Sequence, residues 1–303
     1  MAGSPTTDVD LFEAHRPLLV AHAYRMLGDL GRAEDMVQDA WLRWSGRHVQ
    51  VDSPRAYLVT LVTRLCLTEL DSARARREES RGDRLPEPVD LDEGGIGRVD
   101  VSDRISMAFL VVLQRLTPAE RAVLLLRDVF DFDYGEIAGL VGKTEAACRK
   151  LLERARQHVN SEKRLFSAPA EEHRRLLAAF TAAASKGDID ALVAMLAEEA
   201  VMVTDGGPEG RRAGGIRNLR APLTGARRIA AFVAATAGSV DLEAEVHELN
   251  GQPALVLYHE NAPFAAVLLS IANERVHRVF FHADLGRLRH LGPRSPRETD
   301  IQT

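Results

Sequence analysis

The spacing of apolar residues changes along the chain, and this change most limits the folds available to it. In the first half, apolar residues recur with helical spacing, so they line one face of a helix. The clearest stripe comprises Ala33, Met36, Val37, Ala40, Trp41 and Trp44. After about residue 168, β-like runs occupy residues 201–203, 254–259, 264–271 and 276–281. Helices followed by consecutive strands predict all-α domains and then an α+β domain.

Capping signals indicate where individual helices begin. Ser53 supplies a capping hydroxyl, and Pro54 suits the first helical position. Thr117-Pro118-Ala119-Glu120 combines such a proline with a capping box. These signals predict an all-helical bundle over residues 8–80 and a second helical domain that begins near residue 105.

Length and composition favour a globular protein with two or three domains. The chain has 303 residues, about twice a typical domain of ~150 residues, and 46% of them are apolar. Its net charge of −5 excludes a uniformly basic surface, so any nucleic-acid site must be local. We expect no metal and no cofactor, because the cysteines do not form a C-x-x-C pair. Cys66 and Cys148 lie on apolar helical stripes, which predicts buried side chains.

The sequence gives no sign of a membrane segment or an export signal. Residues 1–10 lack the basic start and apolar run of a secretory signal, and ~18 consecutive apolar residues occur nowhere. We therefore expect a cytoplasmic protein without a membrane partner.

An acidic segment separates the two helical regions. Between residues 85 and 103, six acidic side chains face the single base Arg98, in a stretch that also contains proline and glycine. This composition is typical of a linker.

A helix-turn-helix pattern follows the linker. Asp133 and Glu136 have capping-box spacing, residues 141–143 contain the turn glycine, and Thr144 can cap a longer helix. From residue 144 to 164 there are six bases and three acids, a sign that suits phosphates. An ordinary helical hairpin with a solvated basic face would show the same pattern.

A second basic excess lies in the first helical region, between residues 55 and 77. Its bases are Arg55, Arg64, Arg74, Arg76 and Arg77, against Glu69 and Asp71. Two basic helical faces on either side of an acidic linker could grip DNA at two separated places.

Two segments resemble the extracytoplasmic-function sigma factors of bacteria. Leu27-Gly28-Asp29 and the run from Ala33-Glu34-Asp35-Met36 through Leu42-Arg43 resemble region two of these proteins. Leu116-Thr117-Pro118-Ala119-Glu120-Arg121 through Arg154-Ala155-Arg156 resembles region four. Both occur in the right order and cover roughly residues 8–160, so the resemblance is far more specific than a single helix-turn-helix.

The last third resembles the SnoaL-like, cone-shaped α+β domain that one group of these sigma factors carries. Two short signatures support this resemblance: Leu85-Pro86-Glu87-Pro88 and Asp205-Gly206-Gly207. It implies that the extension regulates the sigma factor within the chain, in place of a separate anti-sigma protein, and that its cone can hold a small ligand. Arg84 replaces the group's usual aromatic residue. Residues 284–288 depart from its third signature, so we assign them no site.

Five segments follow from these patterns and resemblances. They are a region-two helical domain at 8–82, an acidic linker at 83–103, a region-four helix-turn-helix domain at 104–164, a SnoaL-like α+β domain at 168–292, and a flexible tail at 293–303.

The resemblance also implies which residues bind which partner. Core RNA polymerase would bind Glu34, Asp35, Gln38, Asp39 and Arg43. The −10 promoter element would be bound by His48, Gln50, Thr63, Arg64, Arg74, Arg76 and Arg77. The −35 element would be bound by Lys143, Thr144, Arg149, Lys150, Arg154 and Arg156, with Arg149 as first choice for a base contact. Regulatory coupling would involve Leu85, Pro86, Glu87, Pro88, Asp205, Gly206 and Gly207.

The leading interpretation is a non-enzymatic initiation factor that directs core RNA polymerase to −35/−10 promoters. One alternative is a helix-turn-helix regulator that binds DNA unaided and senses a ligand, but it leaves residues 34–43 unexplained. Another makes the extension an enzyme, since some SnoaL-like domains are cyclases that use a carboxylate and a histidine, here Asp205 and His282.

Overall fold

The computed structural model describes residues 7–46, 51–75, 84–90, 106–166, 168–207, 212–213, 216–217, 219, 221–237 and 241–294. The chain divides into two compact units. We call the described residues of 7–75 and 109–163 the helical unit. The described residues of 84–90, 106–108 and 164–294 form the cone unit. Among the described residues, no helix combines the length and the apolar character that crossing a membrane requires.

The helical unit has the all-α character that the sequence predicts. Its helices are α1 (Asp8–Leu27), α2 (Leu30–Ser45), α3 (Pro54–Ala75), α4 (Met107–Arg115, whose first two residues belong to the cone unit), α5 (Pro118–Asp128), α6 (Tyr134–Val141) and α7 (Glu145–Glu162). The predicted capping boxes exist, because Thr117 accepts from the amide of Glu120 and Asp133 from that of Glu136. Thr144 caps α7 by accepting from the amide of Ala147.

The stripe on α2 packs into the first helical core. Trp44 is fully buried, and its indole nitrogen donates to the carbonyl of Asp8 at 2.9 Å. Trp41 is half-buried and meets the ring of Phe12 edge-on. Cys66 and Cys148 are buried free thiols, as predicted, and burial raises the pKa of Cys66.

Arg121 connects the two parts of the helical unit. This α5 side chain is 3% exposed and donates to the carbonyls of Leu113 and Leu116 and to the side-chain oxygen of Gln114. It also donates to the carbonyl of Met26 at the end of α1. A buried guanidinium satisfied by carbonyl oxygens fixes both the α4–α5 corner and the contact between α1 and α5.

The cone unit is an α+β domain, also as predicted. Its elements are α8 (Ala170–Lys186), α9 (Ile189–Met195), β1 (Leu196–Asp205), β2 (Arg212–Ala213), β3 (Ile216–Arg217), β4 (Leu223–Thr224), α10 (Ala226–Thr236), β5 (Glu243–Leu249), β6 (Gln252–His259), β7 (Ala262–Ala272), β8 (Arg275–His282) and α11 (Leu285–Leu288). Six strands form one sheet in the order β4-β1-β8-β7-β6-β5, in which β1 and β8 are parallel and the other pairs antiparallel.

The two faces of this sheet have different neighbours. Helices α8, α9 and α10 pack on the inner face through side chains such as Leu177, Leu192 and Ile229, which share one core with Met202 and Val279. On the outer face lie α11, which contacts β7, and residues 84–90. The sequence pattern missed β5 because this edge strand alternates charged residues with few apolar ones.

Replacing Arg121 tests its role as the connector. We expect Arg121→Met to lower the free energy of unfolding of the helical unit by about 3 kcal/mol, since several buried carbonyls lose a charged donor. Urea unfolding followed by tryptophan fluorescence measures this unit, because both tryptophans lie in it. Arg154→Met removes an exposed arginine of α7 and should change the free energy by less than about 0.5 kcal/mol. Equal effects of the two substitutions would contradict the assignment.

Candidate functional site

The predicted polymerase-binding residues share one exposed face of α2. Ala33, Val37, Ala40 and Trp44 are buried on the opposite side of this helix. All five predicted residues are exposed: Glu34, Asp35, Gln38, Asp39 and Arg43. Leu42 lies on the same face and is 61% exposed, a large apolar side chain that sequence reasoning did not select. The face therefore carries charged and polar groups around one exposed apolar side chain.

Of the residues predicted to bind the −10 element, Arg64 is exposed on α3. Thr63 is a correction, because its side chain is fully buried: it donates to the carbonyl of Val59 and accepts from Nε2 of His22 at 2.8 Å. Arg74 lies within α3, and nothing is described of its side chain. His48, Gln50, Arg76 and Arg77 lie outside the described residues.

The helix-turn-helix consists of α6, a short turn and α7. Gly142 ends α6 with φ of 65°, a left-handed conformation that favours glycine, and Lys143 and Thr144 complete the turn. Cys148 and Leu152 bury one side of α7. The candidates for the −35 element are exposed, in the turn or on the other side of α7: Lys143, Thr144, Arg149, Lys150, Arg154 and Arg156.

Two of these arginines already have partners. Arg149 pairs with Glu145 at 2.8 Å, and its guanidinium lies over the ring of Tyr134. Arg156 makes two hydrogen bonds to Asp128 of α5, and this carboxylate raises the pKa of Arg156. To contact a DNA base, Arg149 would have to give up only its exposed ion pair with Glu145. Arg156 would have to break two hydrogen bonds to Asp128. Arg156 therefore also has a structural role in connecting α5 to α7.

In the cone unit, residues 84–90 are held through their backbone. The amide of Leu85 donates to the carboxylate of Asp205 at 3.0 Å. The backbone amide of Val89 donates to the side-chain oxygen of Asn250. The backbone amide of Asn250 in turn donates to the carbonyl of Val89 at 2.7 Å. Leu85 is 2% exposed and Val89 is fully buried. The structure thus brings together Leu85 and Asp205, which sequence reasoning assigned to one regulatory set.

The chemistry of the segment explains why it can be held in this way. Pro86 and Pro88 have no amide hydrogen and favour an extended chain, which leaves donors at alternate residues. Two of these donors, on Leu85 and Val89, bind side-chain oxygens of the cone unit. The segment is therefore bound through backbone amides that donate to side-chain oxygens of the cone unit.

Three further residues that sequence reasoning left out complete this contact. Arg287 donates to the carbonyl of Leu85 and lies 3.9 Å from the carboxylate of Asp205. Asp284 pairs with Arg84 at 3.4 Å. His290 places one ring nitrogen 2.7 Å from the carbonyl of Pro88 and the other 3.2 Å from the carboxylate of Glu87. The sequence contained one hint: Asp284 and Arg287 lie within residues 284–288, where the chain departs from the group's third signature.

Gly207 also belongs to this contact for a steric reason. Its φ is 76°, and a Cβ at this position would lie 2.8 Å from the carboxylate of Asp284. Its amide donates to Asp205, which closes a turn around Gly206. Only glycine fits here without displacing Asp284.

A cavity of about 210 Å³ lies on the inner face of the sheet, and Thr204 and Phe281 line it. Asp205 and His282 directly follow these residues on β1 and β8, so their side chains point to the opposite face. Burial and the nearby Arg287 lower the pKa of His282 to about 3. The interpretation of Asp205 and His282 as an acid–base pair acting in the cone is therefore wrong, since neither lines the cavity.

Both helical regions match models of known protein families. Residues 11–76 match the model of sigma-70 region 2, and residues 106–159 match that of sigma-70 region 4. The sequence is 31% identical to the ECF RNA polymerase sigma factor SigG of Mycobacterium tuberculosis (strain H37Rv), over 90% of this chain and 80% of SigG. The chain belongs to the ECF RNA polymerase sigma factor family.

Other members of the family share the extension of this ECF sigma factor. SigJ of M. tuberculosis (strain H37Rv) is 39% identical over 202 residues, which span 65% of each chain. The crystal structure of M. tuberculosis SigJ superimposes with a TM-score of 0.71 and 27% sequence identity, covering 93% of this chain and 98% of that one. The matched architecture thus includes the cone unit as well as the sigma regions.

His282, a buried histidine of the cone unit, predicts acid sensitivity. The pKa of His282 in the folded protein, about 3, lies below the value of about 6.5 in an unfolded chain, so the unfolded state binds more protons. Stability is therefore complete above pH 6.5 and falls as the pH drops, by about 2 kcal/mol at pH 5. His22 adds a similar loss, since burial and Arg25 lower its pKa to about 3.

Calorimetric melting at pH 7 and pH 5 measures this loss. We expect His282→Leu to reduce the drop in melting temperature between the two pH values, whereas replacing the exposed His259 by leucine should not. The same drop in the wild type and in His282→Leu would refute the proposed origin.

Proposed function

We propose that this ECF sigma factor directs core RNA polymerase to promoters that contain −35 and −10 elements, and that the cone unit restrains it through residues 84–90. One observation supports the promoter-directing function: the candidate contact residues on α2 and α7, one helix in each matched sigma region, are exposed. Such a protein works in the bacterial cytoplasm, on promoter DNA and polymerase.

The exposed face of α2 is our candidate for the polymerase contact. Its side chains have no role in the core of the helical unit, because Ala33, Val37, Ala40 and Trp44 fill that role. Leu42 at its centre supplies apolar area, and Glu34, Asp35, Asp39 and Arg43 surround it with charge. An apolar centre with a charged rim is the usual composition of a protein interface.

Helix α7 is our candidate for the −35 contact. Lys143 in the preceding turn and Arg149 and Lys150 in the N-terminal part of α7 are exposed, where a recognition helix contacts base edges. Arg154 lies further along and suits a phosphate. On α3, Arg64 keeps its assignment to the −10 element, and Thr63 contributes indirectly by fixing α3 against His22.

The restraint follows from chain length. About thirty residues connect the two sigma regions, between residues 76 and 106. Holding residues 84–90 on the cone unit divides this connection into spans of eight residues, 76–83, and fifteen residues, 91–105. Because an extended chain covers at most ~3.5 Å per residue, the held connection limits how far the regions can separate to reach two promoter elements.

We propose no catalytic activity for the cone unit. Among its described residues, the carboxylate and the histidine first considered for acid–base work face away from the cavity. Asp205 instead accepts from the amides of Leu85 and Gly207.

Charge reversal on α2 tests the polymerase contact. We expect Asp35→Arg together with Asp39→Arg to weaken binding to core polymerase at least ~10-fold and to abolish runoff transcripts, since opposing charges are lost at the interface. Glu198→Arg together with Glu199→Arg reverses two exposed charges on β1 of the cone unit and serves as the control. Circular dichroism checks that both variants fold. If both bind core polymerase like the wild type, α2 is not the contact.

Asp205→Asn tests the restraint. The amide keeps the shape of the side chain but replaces one accepting oxygen by a donor, so the hydrogen bond from Leu85 weakens. We expect hydrogen exchange of residues 84–90 to rise about 10-fold, as the loss of a charged hydrogen bond predicts, and runoff transcription to rise several-fold at limiting sigma factor. Glu198→Gln, an exposed neutralisation on the same strand, is the matched control.

The two readouts separate the claims. Faster exchange with unchanged transcription would refute the restraint while leaving the sigma function intact. If the wild-type protein gives no transcripts from any promoter, the sigma function itself is refuted.

A further inference from the structure

We propose that Tyr134 is a positioning residue for promoter recognition, whose ring holds the guanidinium of Arg149 ready to contact one base pair of the −35 element. This inference rests on the proposed function of α7, in which Arg149 is the first choice for a base contact. It adds a residue that acts through Arg149 and sets how sharply this arginine discriminates between bases.

The ring of Tyr134 is fixed at the start of α6. Tyr134 is the first residue of this helix and directly follows Asp133, which forms the capping box with Glu136. From α5, Arg127 donates to the carbonyl of Phe132 at 2.7 Å, and its guanidinium carbon lies 5.3 Å from the centre of the Tyr134 ring. The half-buried ring is therefore held both by the capped end of α6 and by a side chain of α5.

Arg149 of α7 makes two contacts of different kinds. Its guanidinium carbon lies 4.7 Å from the centre of the Tyr134 ring, within the range of a cation–π contact. One of its terminal nitrogens donates to the carboxylate of Glu145, one turn earlier on α7, at 2.8 Å. A free arginine side chain adopts many rotamers, so restricting them before DNA arrives lowers the entropy lost on binding.

The contact with the ring leaves the hydrogen-bonding edge of Arg149 available. A cation–π contact uses the flat face of the guanidinium, whereas hydrogen bonds to O6 and N7 of guanine use N–H groups in its plane. Glu145 accepts one of these N–H groups and so competes with a base. Tyr134 does not compete, and its contact with Arg149 can persist when a guanine is bound.

The next residue of α7, Lys150, shows the contrast. It is exposed, and the described part of the chain gives it no ion pair and no ring contact. An ammonium group binds a phosphate as a point charge, which tolerates many geometries, whereas a bidentate contact with guanine requires a defined orientation of the guanidinium. The side chain with the stricter geometric requirement is thus the one that the structure holds.

Promoters with a randomised −35 element test the role of Tyr134 in runoff transcription with core RNA polymerase and the full-length protein. We expect one base pair at which G·C gives at least ~10-fold more transcript, as a bidentate arginine contact predicts, and Arg149→Ala should remove this preference. Tyr134→Leu should reduce the same preference about 3-fold, since a cation–π contact is lost, and leave the other base pairs unaffected. Tyr134→Phe retains the ring and should retain the preference.

Each preference is a ratio between promoters for one variant, so it does not depend on how much of that variant is folded. A wild-type preference in Tyr134→Leu, an equal reduction at every base pair, or the same loss in Tyr134→Phe would overturn the role of the ring. If Arg149→Ala changes no preference, the assignment of Arg149 to the −35 element fails as well. If Arg149→Ala removes the preference and Tyr134→Leu does not change it, only the positioning role fails.

NMR relaxation tests the holding contact in the absence of DNA. In full-length protein labelled with ¹⁵N-arginine, Arg149→Lys identifies the Nε resonance of Arg149. We expect its heteronuclear NOE to fall in Tyr134→Leu and to stay at the wild-type value in Tyr134→Phe, while that of the exposed Arg154 changes in neither. An unchanged NOE of Arg149 in Tyr134→Leu would show that the ring does not hold the guanidinium, and would overturn the proposal even if promoter preference changed.

Discussion

A β-strand points successive side chains to opposite faces of its sheet, and the cone unit depends on this constraint. Thr204 and Phe281 contribute to the cavity on one face, and Asp205 and His282 lie on the other. One strand pair thus contributes to the wall of the cavity and to the contact with residues 84–90 at the same time. A single insertion in β1 would exchange the two faces and remove both features.

The contact with residues 84–90 uses backbone groups more than side chains. Leu85 and Val89 contribute amides and carbonyls, while Asp205, Asn250 and Arg287 supply the complementary groups. The prolines between them make the segment stiff before it binds, which lowers the conformational entropy lost on binding. Because these hydrogen bonds lie in a largely buried setting, each contributes more to stability than an exposed ion pair would.

In the helical unit, buried and exposed basic side chains have different roles. Arg121 is buried and satisfied by carbonyl oxygens, so it fixes how α1, α4 and α5 meet. Arg64, Lys150 and Arg154 are exposed and leave their charge available to a polyanion. Arg156 lies between these classes, because its exposed guanidinium already binds Asp128.

The sequence by itself determined the order of the main elements and the outward faces of α2 and α7. Apolar period and capping residues act locally, which is why α2, α5, α6 and α7 and the longer strands were predicted. It missed β5, whose place at the sheet edge allows charged residues, and it misplaced Thr63, which is buried and contacts His22, 41 residues away. Only the tertiary structure decided that Asp284, Arg287, His290 and Asn250 meet residues 84–90, because these contacts join positions about 160 to 200 residues apart. No local pattern records such distances, since they arise from the packing of the sheet.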